Sequence, residues 1–289
     1  MKSIIMKKAN IRSMVLRGGG FLGLAAVTAV AVIGLMSSAP ESTPALEAYA
    51  DGALRYMPNT AFGFNEKLTF DVGYKFITAG EAVMRVGEKS TTVSNRPCYE
   101  VRFDVRTTAS FDKMFKVRDK YASYIDVDGI FPWRFEQSVR EGKYSRDFSA
   151  NIDQRANMAR TSEGSFKVPP YVHDILSAFY YLRAMDLRNA KKGQSFMLKN
   201  FYGKNTHDLK VKILGREDVE VEAGTFRCIV VEPLVAEGGL FKNEGRIVVY
   251  LTDDDRKIPV KVSTKVVIGS IDGELTKYEG IRGPVAAKK

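Results

Sequence analysis

The chain has 289 residues, of which 45% are hydrophobic, and a formal net charge of +10. This composition supplies a core for one large domain or two small ones. The basic residues are scattered and no recognition motif is present, which argues against a nucleic-acid partner.

The first 36 residues have the pattern of an export signal. Residues 1–17 contain five basic residues and no acidic one, and Phe21 to Met36 form a 16-residue apolar run. The run fits either a cleaved signal peptide or a retained N-terminal anchor, which would be the chain's contact with the membrane. The basic flank predicts that the rest of the chain lies outside the cytoplasm, in the periplasm or cell envelope of a bacterium.

The remainder divides into a linker, one domain and a tail. Residues 37–64 are rich in small residues and proline, and we predict a linker there. A single β-rich domain is expected over residues 65–283. The Ala/Lys sequence of residues 284–289 predicts a flexible tail.

Apolar and polar residues alternate from Glu66 onward. Between Leu68 and Phe76 every second residue is large and apolar, which is typical of a half-buried strand. Ala79-Gly80 is interpreted as the next turn. Similar segments recur about a dozen times at the short spacing of antiparallel β proteins. No βαβ repeat is present, so a parallel doubly wound sheet is not expected.

One strong helix signal interrupts the strands, between Val168 and Gly193. Asp174 is placed to cap its N-terminus, and Gly193 would follow its C-terminus. Two apolar rows run along it, one interrupted by Arg183, so the helix should be covered on much of its circumference. We therefore predict a mainly β (α+β) fold, a strongly curved antiparallel sheet or partly open β-barrel with one central packed helix.

Few residues indicate chemistry. Cys98 and Cys228 could form a disulfide in an oxidising compartment, or each could be a buried thiol within a strand. His173 and His207 lack metal-ligand spacing, and the acidic segment Asp126 to Gly129 is interpreted as a turn because the further ligands of a calcium loop are missing. No catalytic residue, metal site or cofactor is predicted.

Five stretches together are similar to one known family. They are YKFITAGEAVMRV at 74–86, DVDGIFPWRFEQ at 126–137, HDILSAFYYLR at 173–183, EAGTFRCIVVEP at 222–233 and TDDDRKIPVKVSTKVVIGSIDGEL at 252–275. In their order and spacing they resemble the exported bacterial family catalogued as domain of unknown function 3108, over about residues 65–283. The resemblance implies a secreted or periplasmic β-rich domain and brings no established catalytic residues.

The leading hypothesis is a non-enzymatic cell-envelope protein that binds an apolar or amphipathic, lipid-like ligand in a cavity of the curved sheet. It rests on the doubly apolar helix beside aromatic strands, an arrangement similar to periplasmic lipoprotein carriers of the LolA type. The candidate lining residues are all aromatic: Phe70, Tyr74, Phe103, Trp133, Phe135, Phe179 and Tyr180. The alternatives are a structural or assembly protein docked on an envelope protein partner and, with less support, a glycan hydrolase that uses paired carboxylates.

Overall fold

The computed structural model describes residues 53–74, 77–235, 246–265 and 269–289. The predicted export signal therefore lies outside the described residues. The strands are β1 Lys67–Tyr74, β2 Ile77–Val86, β3 Thr91–Val93, β4 Arg96–Thr107, β5 Arg118–Asp126, β6 Pro132–Glu141, β7 Tyr144–Asp153, β8 Met158–Thr161, β9 Gly164–Lys167, β10 Ser195–Tyr202, β11 Asn205–Val221, β12 Gly224–Val235, β13 Ile247–Thr252, β14 Pro259–Lys265 and β15 Ser270–Glu279. The helices are α1 Ala109–Asp112 and α2 Ile175–Ala184. Neither is long and apolar enough to cross a membrane, and the described ranges contain no other helix.

All fifteen strands belong to one antiparallel sheet. Its order is β10-β11-β12-β13-β14-β15-β1-β2-β4-β5-β6-β7-β8-β9, and β3 pairs with β4. The last strand, β15, therefore pairs with the first, β1, near the middle of the sheet, and β9 and β10 are its two ends. The prediction of a curved antiparallel sheet with a packed helix is confirmed.

Alternation along the strands separates the two faces of the sheet. On β1, Leu68, Phe70 and Val72 are buried, while the residues between them are more exposed. The outer face carries cross-strand ion pairs such as Arg106–Glu81, in which the N–O distance is 2.8 Å. Because a shift of one residue would turn the apolar set toward water, this alternation also sets the register of the sheet.

The two ends of the sheet approach each other. Phe148 on β7 contacts Tyr202 on β10, with ring centroids 5.5 Å apart. His173, which follows β9 in the chain, pairs with β10 through its backbone: its N–H donates to the Lys199 carbonyl, and its own carbonyl accepts from the Phe201 N–H, both at 2.8 Å. The segment before α2 thus fills the gap between β9 and β10.

Helix α2 is shorter than predicted. Asp174 caps it as expected, but it ends at Ala184, and Met185 is already extended. The following segment is held by the Arg216 guanidinium of β11, which donates to the carbonyls of Leu187 and Ala190 at 3.0 and 2.8 Å. These bonds occupy carbonyl groups that a longer helix would have used internally, so Gly193 is not a helix terminus.

Both ends of the predicted domain also need correction. The predicted linker over 37–64 does not describe its last part, because Ala61 and Phe62 are 1% and 0% exposed and belong to the core. The predicted flexible tail is docked on β12: the Ala287 carbonyl accepts from the Arg227 N–H at 2.9 Å, and the Lys289 N–H donates to the Thr225 carbonyl at 2.9 Å. The end of the predicted linker is ordered because its apolar side chains are buried in the core. The predicted tail is ordered because its backbone pairs with β12.

Candidate ligand-binding site

A buried cap fixes the start of helix α2 against the sheet. The Asp174 carboxylate accepts the N–H groups of Leu176 and Ser177 at 2.8 and 2.9 Å and the Ser123 hydroxyl of β5 at 2.6 Å. Burial raises the pKa of Asp174 to about 6, although these hydrogen bonds favour the charged form. The cap therefore joins α2 to β5.

An ion pair fixes the other end of α2. The Arg183 guanidinium donates to both oxygens of the Glu66 carboxylate at 2.6 and 2.8 Å, and both side chains are fully buried. Arg183 also donates to the Arg256 carbonyl in the β13–β14 connection. Tyr180, one turn earlier, packs edge-to-face on Phe62 with ring centroids 4.6 Å apart.

Between these two anchors, α2 and the concave face of the sheet leave an apolar cavity. Its volume is about 50 Å³, and it is partly open to solvent. Its lining is formed by Phe70, Ala82, Met84, Phe103, Ile175, Leu176, Phe179, Pro259, Val262 and Gly273. None of these side chains is charged, so the cavity is suited to hydrocarbon.

A second apolar cavity also has Phe179 in its lining. It measures about 20 Å³ and is lined by Ala178, Phe179, Leu182, Leu198, Leu209, Val211, Val231, Pro233 and Val249. Phe179 is common to both linings, so the two cavities are adjacent at this residue.

The structure brings together three of the seven predicted lining residues. Phe70, Phe103 and Phe179 line the larger cavity. Tyr74 packs on the edge of the main core. The remaining three are in other contacts: Phe135 against Phe148, Tyr180 against Phe62, and Trp133 against Phe131.

Trp133 belongs to a separate small cluster with Phe131 and Cys98. Its indole N–H donates to Asp126 at 2.9 Å, and Arg96 donates to both oxygens of the same carboxylate. Burial opposes the charge on Asp126, but the bonds from Arg96, Trp133 and the Gly129 N–H outweigh it, and the pKa of Asp126 is lowered. The segment 127–129 is a turn, as predicted, and this carboxylate holds it in place.

The two cysteines are both free and buried, in different clusters. Burial raises the pKa of each thiol to about 12, which makes both poor nucleophiles. The alternative of two buried thiols therefore describes this structure. Over the described ranges, no group of His, Cys, Asp and Glu side chains could hold a metal ion.

Several lining residues escaped the sequence analysis because they are not aromatic. Ala82 and Met84 follow the same period of two on β2 that marked the aromatic positions elsewhere, and this signal could have identified them. Pro259 and Val262 come from β14, far away in the chain. Only the order of strands in the sheet places them opposite α2.

Comparisons with known proteins agree on a fold and not on an activity. A family model described as "Protein of unknown function (DUF3108)" matches residues 69–276. A crystal structure of a β-barrel-like DUF1849 protein from Brucella abortus is similar at 12% identity and a TM-score of 0.50, covering 78% of this chain and 99% of that one. A protein with a YmcC-like fold from Bacteroides fragilis covers 78% of this chain and 100% of its own, at 11% identity and a TM-score of 0.31. The comparison with curated proteins yields no match.

Proposed function

Because the chain belongs to the DUF3108 family, whose function is unknown, we propose from its structure that the domain binds an apolar chain, such as the acyl chain of a lipid, along helix α2. The observation that carries the proposal is the pair of apolar cavities that meet at Phe179. The site is non-enzymatic, and it acts in the bacterial cell envelope, where the N-terminal export pattern would direct the chain.

The size of the cavities determines how a ligand would enter. An apolar cavity of roughly 150 Å³ binds one benzene molecule, and the larger space here is about 50 Å³. A ligand must therefore displace the Phe179 ring and occupy both spaces together. Each methylene group that the ligand buries would contribute about 0.8 kcal/mol, from which the cost of that displacement is subtracted.

The rigid anchors of α2 support this interpretation. Asp174 and Arg183 fix the two ends of the helix by buried polar bonds. Phe179 lies between them, lines both apolar cavities and packs on the Tyr180 ring. A ligand could then move one ring without moving the helix.

The test is the mass of the protein as it leaves the envelope. The full chain is purified from bacterial envelopes without added lipid and measured by native and denaturing mass spectrometry. We expect an adduct that is released on denaturation. Phe179→Trp should reduce adduct occupancy severalfold because the larger ring fills the space, whereas Phe179→Ala should retain or increase it because the two cavities merge.

A matched control separates occupancy from stability. Phe135 is equally buried but lines neither cavity. Phe135→Ala should cost about 3–5 kcal/mol of stability, like Phe179→Ala, and leave adduct occupancy unchanged. A wild-type protein that shows only the apo mass, and that takes up no added fatty acid, would contradict the proposal and favour docking on an envelope partner.

A further inference from the structure

Of the five large apolar side chains that are exposed in the described ranges, four lie at one end of the sheet. Ile77 begins β2, Met114 lies between α1 and β5, Tyr144 begins β7, and Leu234 is near the end of β12. These four are between 37% and 54% exposed. Strand pairing places Ile77, Met114 and Tyr144 at one end, because β1–β2, β4–β5 and β6–β7 all connect there. Leu234 is at the same end, because antiparallel pairing through β13, β14 and β15 relates the end of β12 to the end of β1.

Five of the residues at this end form one compact surface, which we call the rim patch. It consists of Lys113, Met114, Lys116, Lys143 and Tyr144, all exposed. The backbone joins its two halves: the Gly142 N–H donates to the Lys116 carbonyl at 2.8 Å. A Cβ atom at Gly142 would lie 2.6 Å from the Phe115 ring. The β6–β7 turn, which contains Gly142, therefore packs directly against the loop between α1 and β5.

The three lysines of the rim patch add positive charge to this end of the sheet, and one of them, Lys116, is close enough to help Arg118 lower the pKa of Asp112. Asp112 is bound by Arg118 at 3.0 Å, and Asp147 is bound by Arg140 at 2.7 Å. Within the described ranges, the three lysines of the rim patch have no carboxylate within ion-pair distance. Three lysines without an ion-pair partner thus occur in the same short segments as an exposed methionine and an exposed tyrosine.

We propose that the rim patch docks the domain on an anionic phospholipid bilayer. Met114 and Tyr144 enter the boundary between headgroups and acyl chains, where tyrosine is favoured, and the lysines lie at the phosphate groups. Because the rim patch carries three lysines, it should bind an anionic bilayer more tightly than a neutral one. The proposal uses none of the cavity-lining residues, so it holds or fails independently of ligand binding in the cavity.

A tryptophan reporter tests the docking in the full chain. Trp133 is 1% exposed and supplies a constant background. On addition of vesicles of phosphatidylglycerol and phosphatidylcholine in equal parts, Tyr144→Trp should shift its emission to the blue and be quenched by acyl-brominated lipid. Tyr56→Trp should do neither, because Tyr56 is exposed at the opposite end, beside the β5–β6 turn. Because the tryptophan at position 144 reports only on its own surroundings, its emission does not respond to membrane contact by the N-terminal segment.

Charge variants test the role of the lysines. Replacing all three lysines of the rim patch by Gln, in the Tyr144→Trp background, should raise the lipid concentration needed for the shift by about 100-fold at low salt. The control replaces Lys89, Lys191 and Lys192, exposed lysines outside this end, by Gln and should keep the wild-type response. A reporter that does not respond to anionic vesicles, or that responds equally to pure phosphatidylcholine vesicles, would overturn the proposal.

Discussion

His173 shows how one buried residue makes the fold sensitive to protons. Its side chain is 2% exposed, and its Nδ1 lies 3.3 Å from the Ser177 hydroxyl. Burial, and then the nearby Arg55 guanidinium, hold the pKa of His173 well below 6.5. The ring is therefore neutral in the folded chain at pH values where an exposed histidine takes up a proton.

The buried His173 makes the folded chain less stable as the pH falls. Below a pH of about 6.5 the unfolded chain binds a proton at His173 that the folded chain does not, so stability falls by up to about 1.4 kcal/mol per pH unit. Asp174 acts in the opposite direction below its pKa of about 6, because the folded chain then takes up the proton. Measuring the wild type against His173→Gln removes the Asp174 contribution, since that residue is common to both.

We expect the unfolding free energy of the wild type to decrease more steeply than that of His173→Gln between pH 6.5 and pH 5, in urea titrations. His207→Gln, at the half-buried second histidine of the chain on β11, is measured beside it. Equal slopes for the wild type and His173→Gln would show that His173 does not govern acid stability.

At the scale of the element, helix α2 depends on the ion pair between Arg183 and Glu66. Both charges are fully buried, so removing one leaves the other without its partner. We expect Arg183→Met to cost about 3–5 kcal/mol and the double variant with Glu66→Gln to cost less than the sum of the single changes, as measured by denaturant unfolding. Arg102→Met, which breaks an exposed pair with Glu100, should cost under about 1 kcal/mol. Additive single effects would contradict this coupling.

Helix α2 also shows which parts of an element its own sequence can predict. The Asp174 cap and the burial of much of the circumference follow from local spacing, and both are present. The interruption of one apolar row by Arg183 was visible, but its partner Glu66 is 117 positions away and no local pattern identifies it. The end of the helix depends on Arg216, from another strand, and for the same reason it was predicted too late in the chain.

Across the whole molecule, a strand's tolerance to change should depend on its place in the sheet. Glu274 on β15 has a neighbour on each side, Asp71 and Lys261, whereas Ser165 on β9 has a paired strand on one side only. We expect Glu274→Pro to cost more than about 3 kcal/mol and Ser165→Pro less than about 1 kcal/mol in thermal unfolding. Glu274→Ala controls for the loss of the side chain. Equal costs for the two prolines would contradict the central position of β15.

Local alternation predicted most strands but not their order. Period-two patterns depend on neighbouring residues, so β1 and β4 could be identified directly. The turn predicted at Ala79-Gly80 is wrong, because Gly80 lies inside β2, where a Cβ atom would be 2.6 Å from the Arg106 carbonyl oxygen. The linings of both cavities come from strands distant in the chain, and therefore Phe179 could be named in advance but its place in both linings could not.

The pairing of β1 with β15 has a consequence for biosynthesis. The Thr69 carbonyl accepts a hydrogen bond from the Thr276 hydroxyl, 207 positions later. At a synthesis rate of about 5–20 residues per second, β1 leaves the ribosome about 10–40 s before its partner exists. During that interval β1 lacks one of its two neighbouring strands, so the centre of the sheet is an open edge. The sheet can therefore be completed only after β15 has been synthesised.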